Sequence, residues 1–216
     1  RDHHHIMRFN DRDDAARRLS NALLKYKGKD AILLAIPRGG VVLGRVIADT
    51  LGLPLDVIVT KKITPPDNEE YAIGAVDGTN VILDEDAMEG AGVSRAALKG
   101  QIQEKQRAVM ARYKKFRGSA APPDVKGKIA IIVDDGIATG NTMKAAIALA
   151  RTAGAKKVVA AFPVGPTEGV VEMRSLADEV VCLSSEPAFM AVGEFYDEFP
   201  QVEDDDVIAL LKVKRR

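Results

Sequence analysis

Residues 131–142 read Ile131-Ile132-Val133-Asp134-Asp135-Gly136-Ile137-Ala138-Thr139-Gly140-Asn141-Thr142. An apolar run that begins at Ile129 stops abruptly at two adjacent acids. Small residues at 136, 138 and 140 then alternate with Thr139, Asn141 and Thr142, and a helical pattern continues to Thr152. The apolar run is a buried strand. Glycine and small side chains let backbone N–H groups close on an anion, and hydroxyls add donors. The new helix turns its partly positive N-terminus to the same point. Two carboxylates would repel a bare phosphate, but they suit a ligand that also brings hydroxyls or a hard cation such as Mg²⁺. A strand-to-helix turn whose acids only cap the helix is the bland alternative. It leaves the joint occurrence of acids, glycines and hydroxyls unexplained.

Outward from this run, buried strands alternate with helices. Strand patterns cover 31–36, 55–59, 158–162 and 180–183, and helical patterns cover 11–27, 41–51, 142–152, 167–176 and 204–211. Residues 72–76 and 81–83 read as a hairpin around Asp77-Gly78, and 61–71 as a loop. Ser94 to Phe116 is a long amphipathic helix, with Leu98, Ile102, Val109, Tyr113 and Phe116 on one face. The expected fold is α/β: a parallel β-sheet flanked by helices, with a small hood and lid and the long helix as decoration. Residues 7–216 are read as a single domain, with 94–117 as the insertion and 63–71 as a flexible lid. In such sheets ligands bind at the carboxyl ends of the strands.

Two further segments sit at such ends. Pro37-Arg38-Gly39-Gly40 comes after the first strand, and Lys61-Lys62 after the second. Each has a plain reading, a tight turn and a solvated lysine pair. Their strand-loop-helix setting upstream of the acids makes them candidates for holding an anion. Pro163-Val164-Gly165-Pro166 ends a later strand, and Pro187 to Gly193 precedes Tyr196-Asp197.

Composition sets outer bounds. The 216 residues are 46% hydrophobic and 29% charged, an ordinary globular balance. Thirty-one basic residues offset thirty-one acidic ones, so no global field favours nucleic acid. No apolar run reaches membrane-spanning length, and no secretory signal pattern is present. The single cysteine, Cys182, lies in an apolar run, and a lone cysteine fits a reducing, cytoplasmic compartment. Residues 1–6 read as an affinity-tag remnant with Met7 as the native start. All three histidines fall in that remnant, so histidine-based nucleophilic catalysis and a histidine zinc site are not expected.

The run 131–142 resembles the phosphoribosyl pyrophosphate (PRPP) signature of type I phosphoribosyltransferases. The likeness extends over most of the chain to a bacterial and archaeal group of predicted phosphoribosyltransferases of undefined substrate. It includes Lys61 to Val76, Arg112-Tyr113 and Phe195 to Val202. That group often has glycine where this chain has Thr64 and Asp67, which bears on lid mobility. The resemblance implies a Mg²⁺-dependent transfer of the phosphoribosyl group from PRPP to a nitrogenous acceptor, a nucleobase of the salvage type, with release of pyrophosphate. It implies that Asp134 and Asp135 meet the ribose hydroxyls and Mg²⁺, and that Ala138, Thr139, Gly140, Asn141 and Thr142 hold the 5′-phosphate. Arg38, Gly39, Gly40, Lys61 and Lys62 would grip pyrophosphate, with Arg38 and Lys61 assisting its departure. Val164, Phe189, Tyr196 and Asp197 are the base-site candidates, although the aromatics also read as a cluster burying the closing segment. Ala138 stands where many 6-oxopurine enzymes carry an acid, so the loop reads more like adenine-type enzymes and leaves the acceptor open. A homodimer is expected, with the long helix as a candidate face, and no nucleic-acid or membrane partner. The alternative is a PRPP- or nucleotide-sensing regulatory protein on the same fold.

Overall fold

The computed structural model describes residues 7–212; the tag reading of residues 1–6 lies outside them. In chain order the elements are α1 (Arg12–Ala22), β1 (Ala31–Ala35), α2 (Gly39–Leu51), β2 (Leu55–Val57), β3 (Lys61–Ile63), β4 (Gly74–Val76), β5 (Val81–Leu83) and α3 (Glu85–Ala91). Next come α4 (Arg95–Arg117), β6 (Ile129–Val133), α5 (Asn141–Thr152), β7 (Lys157–Pro166), α6 (Thr167–Leu176), β8 (Glu179–Glu186) and α7 (Asp204–Lys212). Five strands form a parallel sheet in the order β2-β1-β6-β7-β8, and β3, β4 and β5 form a small antiparallel sheet.

The apolar strands explain the layering. Side chains alternate across a sheet with period two, so a strand buried on both faces must be apolar throughout. Leu33, Ile131, Val133, Val159 and Ala161 pack against Leu19 of α1 and Leu43 and Ile47 of α2. Their neighbours Leu34, Ala130, Ile132, Val158 and Ala160 pack on the other face against Met143 and Ile147 of α5 and Met173 of α6. The sheet is therefore covered on both sides, as expected. The winding order along the sheet reverses between β1 and β6, which pair in register from Ala31↔Ile129 to Ala35↔Val133. That switch point places the two loops leaving these strands side by side.

Some elements differ from the sequence expectation. The segment read as a loop from Lys61 begins as strand β3, with Lys61 opposite Val76 and Ile63 opposite Gly74. Three residues with two exposed lysines carry too little pattern to be read as a strand. The first helix stops at Ala22, and a 3₁₀ turn over Leu24–Tyr26 completes it. Helix α3 has no counterpart in the sequence reading; Asp84 caps it by accepting from the Ala87 amide, and Gly92 ends it in the left-handed region. Strand β7 continues past Phe162 to Pro166, because Val164, Gly165 and Pro166 pair with Ser184, Ser185 and Glu186 of an equally extended β8.

The long helix α4 is not a free insertion. Val109, Tyr113 and Phe116 pack with Val57, Val59 and Val207, and the Tyr113 hydroxyl accepts from the Val59 amide at 2.9 Å. Its apolar stripe is thus used within the chain, and its outward face is polar. Among the described residues no helix is long and apolar enough to cross a membrane.

Asp204, the first residue of α7, ties that helix to α4. It accepts from Arg112 Nη1 at 2.8 Å and Nη2 at 3.0 Å, and from Lys115 Nζ at 2.8 Å. Arg112 first, then Lys115, holds its carboxyl well below the usual carboxylate range. A depressed folded-state value stabilises the fold above the ordinary Asp value of about 3.9, and this contribution fades as pH falls through the lower folded value. Asp204→Asn is expected to lower the Tm near pH 7 by about 2–4 °C, the equivalent of ~1 kcal/mol for a solvent-screened network. In thermal melts across pH the gap to wild type should close below about pH 4. A gap that persists unchanged into strong acid would contradict this role.

Candidate active site

The acids leave the end of β6 in a constrained pose. The Asp134 amide donates to the Ala161 carbonyl, and Asp134 Oδ1 accepts from the Asp135 amide at 2.8 Å. Asp135 Oδ2 accepts from Arg12 Nε at 3.0 Å, and the Asp135 carbonyl accepts from the Tyr196 hydroxyl at 2.7 Å. Burial, and then the neighbouring Asp135 charge, pushes the Asp134 carboxyl well above its usual value. Two adjacent carboxylates so placed favour a cation or hydroxyl donors between themselves and a ligand. Among the described residues no cluster of three or more acidic, histidine or cysteine side chains forms a complete metal cage. A pair of acids does fit Mg²⁺, which is commonly held by one or two carboxylates together with substrate oxygens and water.

The turn after the acids opens into a cradle. Gly136 has φ 156° and Gly140 φ 78°, and Gly140 caps α5. A Cβ at Gly136 would lie 2.7 Å from Val192 Cγ1, so glycine is needed there for space as well as for conformation. Ala138, Thr139, Asn141 and Thr142 are exposed around the open first turn of α5, where amides lack helical acceptors. A turn of this shape at a helix N-terminus has room and free amides for an anion the size of a phosphate.

Pro37 to Gly40 lies directly against the acids. The Pro37–Arg38 peptide bond is cis. A Cβ on Gly39 would come within 2.1 Å of Asp135 Oδ2, and one on Gly40 within 2.8 Å of the Val133 carbonyl oxygen. The Arg38 side chain is exposed, with Nη1 3.8 Å from Asp204 Oδ1. Lys61 and Lys62 lie elsewhere: with Glu70 and Gly74 they share a cavity of about 200 Å³ with Asn141 and Thr142. The structure thus brings the lysines beside Asn141 and Thr142, and the backbone of the Arg38-bearing loop against the acids. The expected lid is anchored at one end. The Thr64 amide donates to Gln101 Oε1 at 2.9 Å, and Gln101 Nε2 donates to the Thr64 carbonyl at 2.7 Å, while residues 66–71 are exposed.

The four base-site candidates do not converge. Val164 is buried behind Gly136. Phe189 is half-buried and stacks on Phe195, with centroids 5.3 Å apart. Tyr196 is 4% exposed, lies between the rings of Phe9 and Phe199, and uses its hydroxyl to hold Asp135. It supports the acid instead of presenting a face to a ligand. Asp197 pairs with Arg8 at the surface. The cavity beside the acids, about 380 Å³, is lined instead by Arg12, Arg38, Gly39 and the segment Phe199 to Val202.

Sequence reading missed Arg12. It looks like one more charge in Asp11-Arg12-Asp13-Asp14, yet it shares helical spacing with Ala15, Ala16 and Leu19 and is 7% exposed. A charged residue in register with an apolar stripe was the available signal.

Comparisons with known proteins agree with this geometry. Residues 8–199 match the phosphoribosyl transferase domain family. A protein of Mycobacterium tuberculosis provisionally named a phosphoribosyl transferase, found in two strains, is 42% identical over 205 residues. That match covers 94% of this chain and 46% of the mycobacterial protein, so the chain spans about half the length of the curated relatives it matches. A crystal structure of a Thermus thermophilus protein is 36% identical, with a TM-score of 0.84 over 95% of this chain and 98% of that one. The chain belongs to the phosphoribosyl transferase domain family, and the resemblance read from residues 131–142 is borne out.

The close approach at the switch point is testable. Gly40→Ala is expected to lower the Tm by about 5 °C, in line with an overpacking cost of about 1–3 kcal/mol. Gly100→Ala in α4, where a Cβ meets nothing within 4 Å, should leave it unchanged or raise it. Equal Tm values for wild type and Gly40→Ala in differential scanning calorimetry would show that the loop has room to move.

Proposed function

We propose that the protein transfers the phosphoribosyl group of PRPP to a nitrogenous acceptor, a nucleobase by chemical type, and releases pyrophosphate. The observation that carries this is the meeting, at the β1–β6 switch point, of an acid pair, an arginine-bearing loop and a helix-capped phosphate cradle. In this reading the cradle from Ala138 to Thr142 takes the 5′-phosphate, and Asp134 and Asp135 accept from the two ribose hydroxyls. Arg38 and the amides of Gly39 and Gly40 face pyrophosphate, and Lys61 and Lys62 add positive charge from the β3 side. Mg²⁺, when bound with PRPP, would neutralise pyrophosphate charge beside the acid pair.

The chemistry asks little of any one side chain. The bond from the anomeric carbon to the pyrophosphate oxygen breaks, and the oxygen keeps the electron pair. The acceptor nitrogen forms the new bond, and its proton passes to the departing pyrophosphate or to solvent. The chain's contribution is orientation and charge placement. Closure of residues 66–71 over the site would keep water from the cationic sugar.

The test is pyrophosphate release from PRPP and Mg²⁺ across a panel of nucleobases, orotate and related acceptors. Release with at least one acceptor is expected, and Asp135→Asn should reduce kcat/KM for that acceptor by about a hundredfold. Release with none, or an unchanged rate in the variant, would count against the assignment.

A further inference from the structure

We propose that Arg12 is a positioning residue of the PRPP site: it fixes the Asp135 carboxylate so that the acid pair presents a set geometry to the ribose hydroxyls. This rests on the phosphoribosyl reading above.

A buried guanidinium is costly unless it is paired and hydrogen-bonded. Arg12 meets that requirement entirely at the ligand end of the sheet. Its Nε donates to Asp135 Oδ2 at 3.0 Å, its Nη1 donates to the Pro200 carbonyl, and its guanidinium carbon lies 3.8 Å from the centre of the Phe199 ring. Burial of Ala15, Ala16 and Leu19 locks α1 against the core, so the guanidinium enters from a rigid element.

Seen from Asp135, the restraint comes from several directions. Its amide donates to Asp134, its carbonyl accepts from Tyr196, and Oδ2 is set between Arg12 and the Cβ-less Gly39. In this proposal Oδ1 is the oxygen offered to a ribose hydroxyl. The Asp134 carboxyl lies directly beside that of Asp135, and two acids this close are best accommodated with a counter-charge on one of them. Arg12 supplies that counter-charge from behind the pair. Phe199 and Pro200 hold Arg12 in turn, so the N-terminal helix and the closing segment are both parts of the ribose site.

Isothermal titration with ribose 5-phosphate, PRPP and inorganic pyrophosphate, each with Mg²⁺, separates positioning from direct contact. Arg12→Met is expected to weaken ribose 5-phosphate and PRPP about tenfold, with Arg12→Lys recovering part of the loss. Pyrophosphate affinity should stay within about twofold in both variants: Arg12 lines the cavity beside Arg38, but its Nε and Nη1 are already engaged by Asp135 and the Pro200 carbonyl. Should Arg12→Met fail to fold, Phe199→Leu carries the test: it removes the ring under the guanidinium at a partly exposed position. It should weaken ribose 5-phosphate about threefold and spare pyrophosphate. Equal loss of all three ligands would make Arg12 a direct anion ligand or a general structural support, and unchanged affinities would make it irrelevant. Either result overturns the proposal while leaving the phosphoribosyl reading intact. A wild-type protein that binds neither PRPP nor ribose 5-phosphate would overturn both.

Discussion

Strands β1 and β6 run in parallel and release their chains at the same level, Ala35 opposite Val133. This pairing imposes a steric constraint. The loop after β1 passes so close to the acids after β6 that Gly39 and Gly40 have no room for a Cβ. A side chain at either position would push the arginine-bearing loop off the carboxylates. Helices α2 and α5 both begin here, so two helix N-termini face the region where the site's ligands are proposed to carry negative charge. The alternating apolar strands, covered on both faces, hold this junction rigid.

The charges are divided in space. The acids lie between Arg12 behind and the cradle in front, while Arg38 is exposed and only loosely engaged by Asp204. Asp204 is more tightly held by Arg112 and Lys115, so it competes weakly for Arg38 when an anion is offered. Such a layout suits a ligand with hydroxyls in the middle and phosphates at both ends. Opposed charges gathered at one end of the sheet are compatible with a chain of balanced composition.

The parts legible in sequence were those where one local pattern carried the meaning. Ile129 to Val133 had to be a doubly buried strand, and the acids and small residues after it had one economical explanation. Strand β3 was not legible because its pairing partner β4 supplies the order that its own two lysines do not. The extension of β7 was hidden by Pro163, Gly165 and Pro166, which read as breakers until β8 is seen beside them. The roles of Arg12 and Tyr196 depended on tertiary contacts. Tyr196 looks available as an aromatic face until the backbone pairing of Phe9 with the 195–197 segment draws it inward. Arg12 looks solvated until Asp135, Phe199 and Pro200 arrive from remote parts of the chain.

The central claim is that acid pair, loop and cradle form one PRPP site. A crystal structure of the wild-type protein with PRPP and Mg²⁺ tests it most directly. The expected density places the 5′-phosphate on the amides and hydroxyls of residues 138–142, the ribose hydroxyls on Asp134 and Asp135, and the pyrophosphate against Arg38, Gly39 and Gly40. Density with the pyrophosphate in the cradle, or with the sugar away from the acid pair, would contradict it.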